Sequence, residues 1–288
     1  MASTDTSRAL IFVHVFRSGG TTLNRIIDWE YSPLRIFSLN GRYCRWAYKK
    51  LTECPTAMLA SMQVFRGHMP FGLHKLLPQQ STYITVQRDP VERTISEYYA
   101  GLNRRSHRQH RIIQRLSLEE FLATLANNNA QTKMIAGLNR SYDFLSGECT
   151  ADTLATAKSN LRTHFSLVGI TERFEETLAL GKCMFGWRVP RYASFNRTPG
   201  RPTTVSPEAR SLVSKYNSFD VALYRYSITL FEEAIARHAE QIAITREAVQ
   251  RARLTGGSRL FYYRTGSTAL KMFTLAASTA RSMMPAGV

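Results

Sequence analysis

The stretch Ile11 to Ile27, IFVHVFRSGGTTLNRII, constrains the chain more than any other. A run of β-branched and aromatic residues gives way to Arg17-Ser18-Gly19-Gly20-Thr21-Thr22 and then to apolar residues at helical spacing. The spacing predicts a buried strand over Ala9 to Phe16 and a helix from Thr21, near its cap, to about Tyr31. A strand that turns through glycines into a helix gathers backbone N–H groups and the positive end of a helix dipole, which suits an anion. Gly19 and Gly20 lack the Cβ atoms that would hold a phosphate off the backbone. The amides of Gly20, Thr21 and Thr22 are expected to face the anion. Arg17 brings a guanidinium that can grip two oxygens, and the threonine hydroxyls can donate. The pattern is not the nucleotide-triphosphate loop G-x-x-x-x-G-K-[ST], because the Lys-Ser/Thr pair is missing. The competing reading is an ordinary strand-turn-helix connection that uses glycines for geometry alone.

A second stretch repeats the logic. In TYITVQRDPVERTISEYY, Thr82 to Arg88 has strand composition and Arg88 stands at its carboxyl end. Asp89 suits an N-cap, Pro90 the first helical position, and Glu92 the return arm of a capping box. Ser96 then lies on the helix, which is expected to run through Tyr99. In open parallel sheets ligands bind beyond the carboxyl ends of the strands. Two strand ends, each with a cation and a hydroxyl, suggest two separate phosphate groups on one ligand. The alternative is that Arg88 pairs with a carboxylate and Ser96 faces outward.

The remaining pattern alternates. Val64 to Gly67 is a short strand before His68, and Ser117 with Glu120 forms a capping box ahead of FLATLA. Ala151 to His164 is helical, Ser166 to Ile170 is a strand, and ERFEETLALGKCMF is a helix. Arg188 to Thr204 carries three prolines and a glycine and is a loop. Ser206-Pro207 opens a helical region that reaches about Arg253, with a break near Asn217. Alternating strands and helices predict an α/β domain with a mainly parallel sheet. The domain is expected to cover 9–254, with 255–288 a weakly structured tail.

With 288 residues, 44% of them hydrophobic, the chain suits one large domain with a substantial core. The formal charge of +17, from 38 Lys and Arg against 21 Asp and Glu, favours an acidic partner. Cys44, Cys54, Cys149 and Cys183 are scattered, with no C-x-x-C pair and no histidine cluster beside them, so no metal site is expected. They are read as structural thiols, with a Cys44–Cys54 disulfide left open. The start MASTDTSR shows no signal peptide. The apolar segment after Gly266 is interrupted by Lys271 and Arg281, short of a membrane span. The expectation is a cytoplasmic protein with no integral membrane segment.

These motifs carry a resemblance. HVFRSGGTT resembles the 5′-phosphosulfate loop of sulfotransferases, HxPKTGGT in the branch that includes the heparan sulfate 2-O-sulfotransferases. TVQRDPVERTISEYY is similar to that branch's 3′-phosphate element, RDPVERxxSxYY, and RGHMPFGLHKLLP resembles the Gly-His segment between them. NNNAQTKMIAG, LVGITERFEETL and YNSFDVALY resemble further blocks of its bacterial members, so the likeness runs from about Ala9 to Phe231. It implies the P-loop-like sulfotransferase fold, α/β with a mainly parallel sheet flanked by helices. It also implies 3′-phosphoadenosine 5′-phosphosulfate (PAPS) as co-substrate, no metal, and sulfuryl transfer to a hydroxyl, with a glycan as leading acceptor. On the resemblance Arg17, Ser18, Gly19, Gly20, Thr21 and Thr22 take the 5′-phosphosulfate, Arg88 and Ser96 take the 3′-phosphate, and His68 is the base. Arg17 also stabilises charge on the bridging oxygen. The sequence departs from the branch at Phe16, where Pro is commoner, at Arg17, where Lys is commoner, and at Arg66, where the heparan enzymes have a second histidine.

Other residues are open between two roles. His14, inside the first strand, is read as a core histidine. His74 lines an acceptor cleft or a helix surface, and Gln131 and Lys133 touch acceptor or cofactor or serve structure. Arg197 and Arg201, in FNRTPGRP, close over the cofactor or stay solvated. The run Arg104 to Arg111 holds an anionic acceptor or is a solvated face. The rival functions are a P-loop kinase, without its Lys-Ser/Thr pair, and a nucleic-acid-binding module, without an interleaved aromatic and basic pattern.

Overall fold

A computed structural model of the chain describes residues 8–39, 51–103, 105, 110–124, 128–137, 147–188, 200–202 and 204–252. Cys44, Arg197, the tail 255–288 and most of the run Arg104 to Arg111 lie outside the described residues. Five strands form one sheet: β1 (Ala9–Val13), β2 (Ile36–Leu39), β3 (Val64–Gly67), β4 (Ser81–Gln87) and β5 (Phe165–Ile170). Their order is β2-β3-β1-β4-β5, and every neighbouring pair is parallel. The predicted α/β architecture with a parallel central sheet is therefore present.

The helices in chain order are α1 (Gly20–Glu30), α2 (Thr56–Ala60), α3 (Pro90–Asn103), α4 (His110–Ile113), α5 (Leu118–Thr124) and α6 (Ala130–Ala136). They continue with α7 (Ala151–His164), α8 (Phe174–Phe185), α9 (Pro207–Tyr216), α10 (Ser218–Arg237) and α11 (Ala239–Ala252). All five residues of β1, ALIFV, are buried, as expected of a strand covered on both faces. Ile11 and Val13 face a core completed by Met134 and Ile135 of α6, Ala157 and Leu161 of α7, and Leu223 of α10. Leu10 and Phe12 face the opposite core, with Leu23, Ile26 and Ile27 of α1, Leu178 of α8 and Ile242 of α11. A third cluster joins Val91 and Ile95 of α3 to Ile113, Phe121, Leu122 and Val213. Among the described residues no helix is long and apolar enough to cross a membrane.

The boundaries differ from expectation where the backbone leaves regular geometry. β1 stops at Val13 rather than Phe16, because the chain lifts off the sheet into a turn with Arg17 at φ 62° and Gly19 at φ 77°. Gly19 caps α1, and Thr21 stands in its first turn. Asp89 does cap α3, its Oδ1 accepting from the amides of Val91 at 2.9 Å and Glu92 at 3.0 Å. The Glu92 carboxylate does not reach back to that cap but pairs with Arg201 and Arg210. At Ser117 and Glu120 both arms of the predicted box form, at 2.8 and 3.2 Å. β2 was not foreseen, since IFSL is four residues long and only Leu39 is buried. The break near Asn217 is present: this buried residue separates α9 from α10, donates to the Val213 carbonyl and accepts from the Asn129 amide.

The strand order creates a crevice. The chain leaves β1 for β2 on one side of the sheet and leaves β4 for β5 on the other. The carboxyl ends of β1 and β4, which are hydrogen-bonded neighbours, flank this switch point, where open parallel sheets bind ligands.

Candidate active site

The loop after β1 is held from three sides. The Ser18 hydroxyl donates to the Val15 carbonyl at 2.8 Å and tightens the turn from within. The His14 amide donates to the Gly67 carbonyl at 2.9 Å, tying the loop's start to the end of β3. The Thr171 hydroxyl, beyond β5, lies 2.9 Å from the Ser18 carbonyl and 3.0 Å from the Gln87 carbonyl, so one proton is shared between loop and β4. Thr171 was not singled out from the sequence, although it stands in the quoted block LVGITERFEETL.

The two glycines do different work. Gly19 takes a left-handed backbone conformation that L side chains rarely adopt. Gly20 has an ordinary helical backbone, but a Cβ there would lie 2.1 Å from Cδ2 of His14. The second glycine thus lets α1 start directly over the His14 ring. The Thr22 amide, expected to face the anion, donates to the Gly19 carbonyl at 2.9 Å.

The two motifs meet in one basic corner. The Arg17 guanidinium donates to Ser96 Oγ from Nε at 3.1 Å and from NH2 at 3.0 Å. Its Nε lies 3.9 Å from the Glu97 carboxylate. Arg88 NH1 donates to the Arg17 carbonyl at 2.9 Å. Arg17, Ser96 and Arg88, predicted from stretches 71 residues or more apart, are therefore in direct contact. Burial, and then the Arg201 charge, lowers the Arg88 pKa from its ordinary value, with Glu172 and Glu92 opposing.

Gln131 explains how Arg88 is aimed. Its side-chain oxygen accepts from the Arg88 amide at 3.0 Å and its nitrogen donates to the Arg88 carbonyl at 2.9 Å, like an extra strand partner at the end of β4. Gln131 is fully buried and sits in the first turn of α6, whose Gln131 and Thr132 amides donate to the Asp220 carboxylate at 3.2 and 2.8 Å. Arg93 of α3 approaches the same carboxylate at 4.0 Å. Lys133 is buried in the same helix.

His68 lies just past β3. Its Nδ1 is 2.7 Å from the His14 carbonyl, an oxygen that only accepts, so Nδ1 carries the proton and neutral His68 presents a bare Nε2. Phe16 stacks on the ring at 4.1 Å and 14°, and the His14 ring packs against it at 4.2 Å. Phe16 thus forms a flat support for His68. Burial lowers the His68 pKa, opposed by the His14 carbonyl and then by Glu97. His14 itself is buried, with its pKa held well below the usual value by burial, then by His68 and Arg66. It is a core residue that also shapes the site.

Arg66 turns toward α1: it donates to the Asn24 carbonyl at 2.8 Å and pairs with Asp28 at 2.5 Å. His74 is not in this corner. Its Nδ1 lies 2.8 Å from Tyr83 Oη, beside a cavity of about 300 Å³ lined by Arg8, Gln79, Gln80, Ser81, Tyr83 and His164 at the amino end of β4.

The arrangement joins a helix start, two arginines, a serine hydroxyl and a buried histidine at the switch point. Comparison with known proteins gives the same direction. The sequence profile of the family described as galactose-3-O-sulfotransferase matches residues 22–260. Heparan-sulfate 6-O-sulfotransferase 2 of Danio rerio is 26% identical, over 84% of this chain and 61% of its own. Heparan-sulfate 6-O-sulfotransferase 3 of Homo sapiens is 23% identical, over 83% and 60%. Galactose-3-O-sulfotransferase 2 of Sus scrofa is 26% identical, over 56% and 42%. The chain spans about 60% of the length of the two heparan-sulfate relatives.

Proposed function

The chain belongs to the galactose-3-O-sulfotransferase family, and from that premise we propose that it transfers a sulfuryl group from PAPS to a glycan hydroxyl, with His68 as general base. PAPS supplies the activated sulfuryl group and two separated phosphates. The residues fit such a donor: the loop from Arg17 to Thr22 at the start of α1 suits the 5′-phosphosulfate, and Arg88 with Ser96 suits the 3′-phosphate. Buried guanidinium nitrogen on Arg88, without a hydrogen-bond partner among the described residues, supports an anion at that corner.

The observation that carries the reading is the His68 tautomer. With Nδ1–H donated to the His14 carbonyl, Nε2 is free of its proton and is the atom that would take one from the acceptor hydroxyl. The imidazolium that forms keeps its hydrogen bond to that carbonyl, and the Glu97 charge favours it. Sulfuryl transfer, like phosphoryl transfer, is an in-line displacement in which the protein aligns the partners and stabilises developing charge. Arg17, adjoining both subsites, would stabilise charge on the bridging oxygen.

A glycan hydroxyl is the acceptor class common to the 6-O and 3-O names of the relatives and the 2-O branch that the motifs resemble. The +17 charge favours an acidic glycan. Arg66, held by Asp28 and Asn24, supports chemistry through one histidine, without a second base from that strand.

Two measurements on the full chain test the proposal. Thermal shift is run with 3′,5′-bisphosphoadenosine, with ATP-magnesium and with an oligonucleotide, and transfer from labelled PAPS is followed on a panel of glycans. Stabilisation by bisphosphoadenosine alone, with label on a glycan, is the expected result. Stabilisation by ATP-magnesium or the oligonucleotide, and none by bisphosphoadenosine, would replace this reading with a kinase or a nucleic-acid-binding protein.

A further inference from the structure

Three arginines from three segments of the chain converge on one carboxylate. Glu92, in the first turn of α3, receives Arg201 and Arg88 on Oε2, the latter at 3.8 Å, and Arg210 of α9 on Oε1 at 3.5 Å. Arg201 precedes α9 and lies 109 residues along the chain from Glu92. Burial works against the Glu92 charge, but Arg201, Arg88 and Arg210 hold its pKa below the ordinary range.

Glu92 leaves this corner with donors to spare. The Nε atoms of both Arg88 and Arg201 are buried and have no hydrogen-bond partner among the described residues. Unmatched buried donors are costly, so a group with more oxygens than a carboxylate fits better than the one in place. Arg210 is different, with a side chain 49% exposed and aimed at the other Glu92 oxygen. Glu92 therefore keeps a partner if Arg88 and Arg201 turn to something else.

We propose that Glu92 is a resident stand-in for the nucleotide's 3′-phosphate: it holds Arg88 and Arg201 in place and yields them to a phosphate monoester while keeping Arg210. This rests on the reading of Arg88 as the 3′-phosphate contact and adds Arg201 to the binding residues. It also gives the site a selection rule. A dianionic phosphate replaces the carboxylate with more charge and more oxygens, whereas a nucleotide with a bare 3′-hydroxyl leaves Glu92 where it is and gains nothing from Arg201.

The test is calorimetric titration of the full chain with 3′,5′-bisphosphoadenosine and with adenosine 5′-monophosphate, at one salt concentration. Glu92→Gln is expected to bind bisphosphoadenosine about tenfold tighter, and Arg201→Ala roughly 10- to 100-fold more weakly, from the worth of one charged hydrogen bond. Both variants should leave the monophosphate within about twofold of the wild type. Unchanged or weaker bisphosphoadenosine binding by Glu92→Gln overturns the stand-in, as does an equal loss of both ligands in Arg201→Ala. Should Glu92→Gln melt far below the wild type, the ligand selectivity of Arg201→Ala decides. A wild type that binds the two nucleotides equally overturns the reading of Arg88 itself, a result distinct from the other two.

Discussion

His68 Nδ1 donates to a main-chain carbonyl at 2.7 Å, and burial lowers the ring's pKa from its usual value. Both effects follow from neighbours that the sequence shows only as letters. His68 was legible as a candidate because RGHMPFG, just past a short strand, resembles the family's Gly-His segment. The supporting parts were not, since His14 and Phe16 reach it only once β1 and β3 pair in register. The sign of the pH response follows. A base must be neutral, and a lowered pKa keeps His68 neutral to lower pH than a free imidazole. The acid limb of the transfer rate should therefore lie below the ordinary histidine value of about 6.5. A rate profile from pH 8 down to pH 5 checks this. A limb well above 6.5 would mean that another group titrates or that the ring is not buried.

Among the elements, the turn into α1 is the most specified. The sequence made both glycines look like room for a phosphate, but the fold separates their reasons. Gly19→Ala should cost about 1–2 kcal/mol, the usual penalty for an L residue in a left-handed conformation. Gly20→Ala puts a methyl 2.1 Å from the buried His14 ring, so it should cost about 1–3 kcal/mol by overpacking and disturb His68 as well. Urea denaturation and a labelled-PAPS transfer assay of the two variants should show stability and transfer falling together for Gly20→Ala. Wild-type stability in that variant would contradict the packing account. Helix α3 shows the same limit of local pattern. The Asp89 cap was legible, because capping uses residues two and three positions away. The true partner of Glu92 was not, because Arg201 comes from 109 residues away.

Across the whole molecule, the site is positioned by a buried chain of contacts running from Arg93 through Asp220 to α6, and from Gln131 to Arg88. The sequence displayed Asp220 within YNSFDVALY and Gln131 within NNNAQTKMIAG, but an acidic residue in a helix pattern carries no sign of complete burial. Strand alternation was enough for the α/β class and the parallel sheet. It did not reveal β2, a four-residue strand of which only Leu39 is buried. Asp220→Ala removes a carboxylate 4.0 Å from buried Arg93 and the acceptor for two α6 amides, so it should destabilise the protein by about 3–5 kcal/mol. Chemical denaturation measures that loss, and a change under about 1 kcal/mol would remove Asp220 from the framework. The central claim is that this framework aims a neutral histidine at a hydroxyl beside a nucleotide held by other residues. The most direct measurement is His68→Ala, assayed for sulfuryl transfer from labelled PAPS and titrated with bisphosphoadenosine in parallel. The account predicts a loss of about 10²- to 10⁴-fold in turnover with nucleotide affinity unchanged; near-normal transfer by the variant would contradict it.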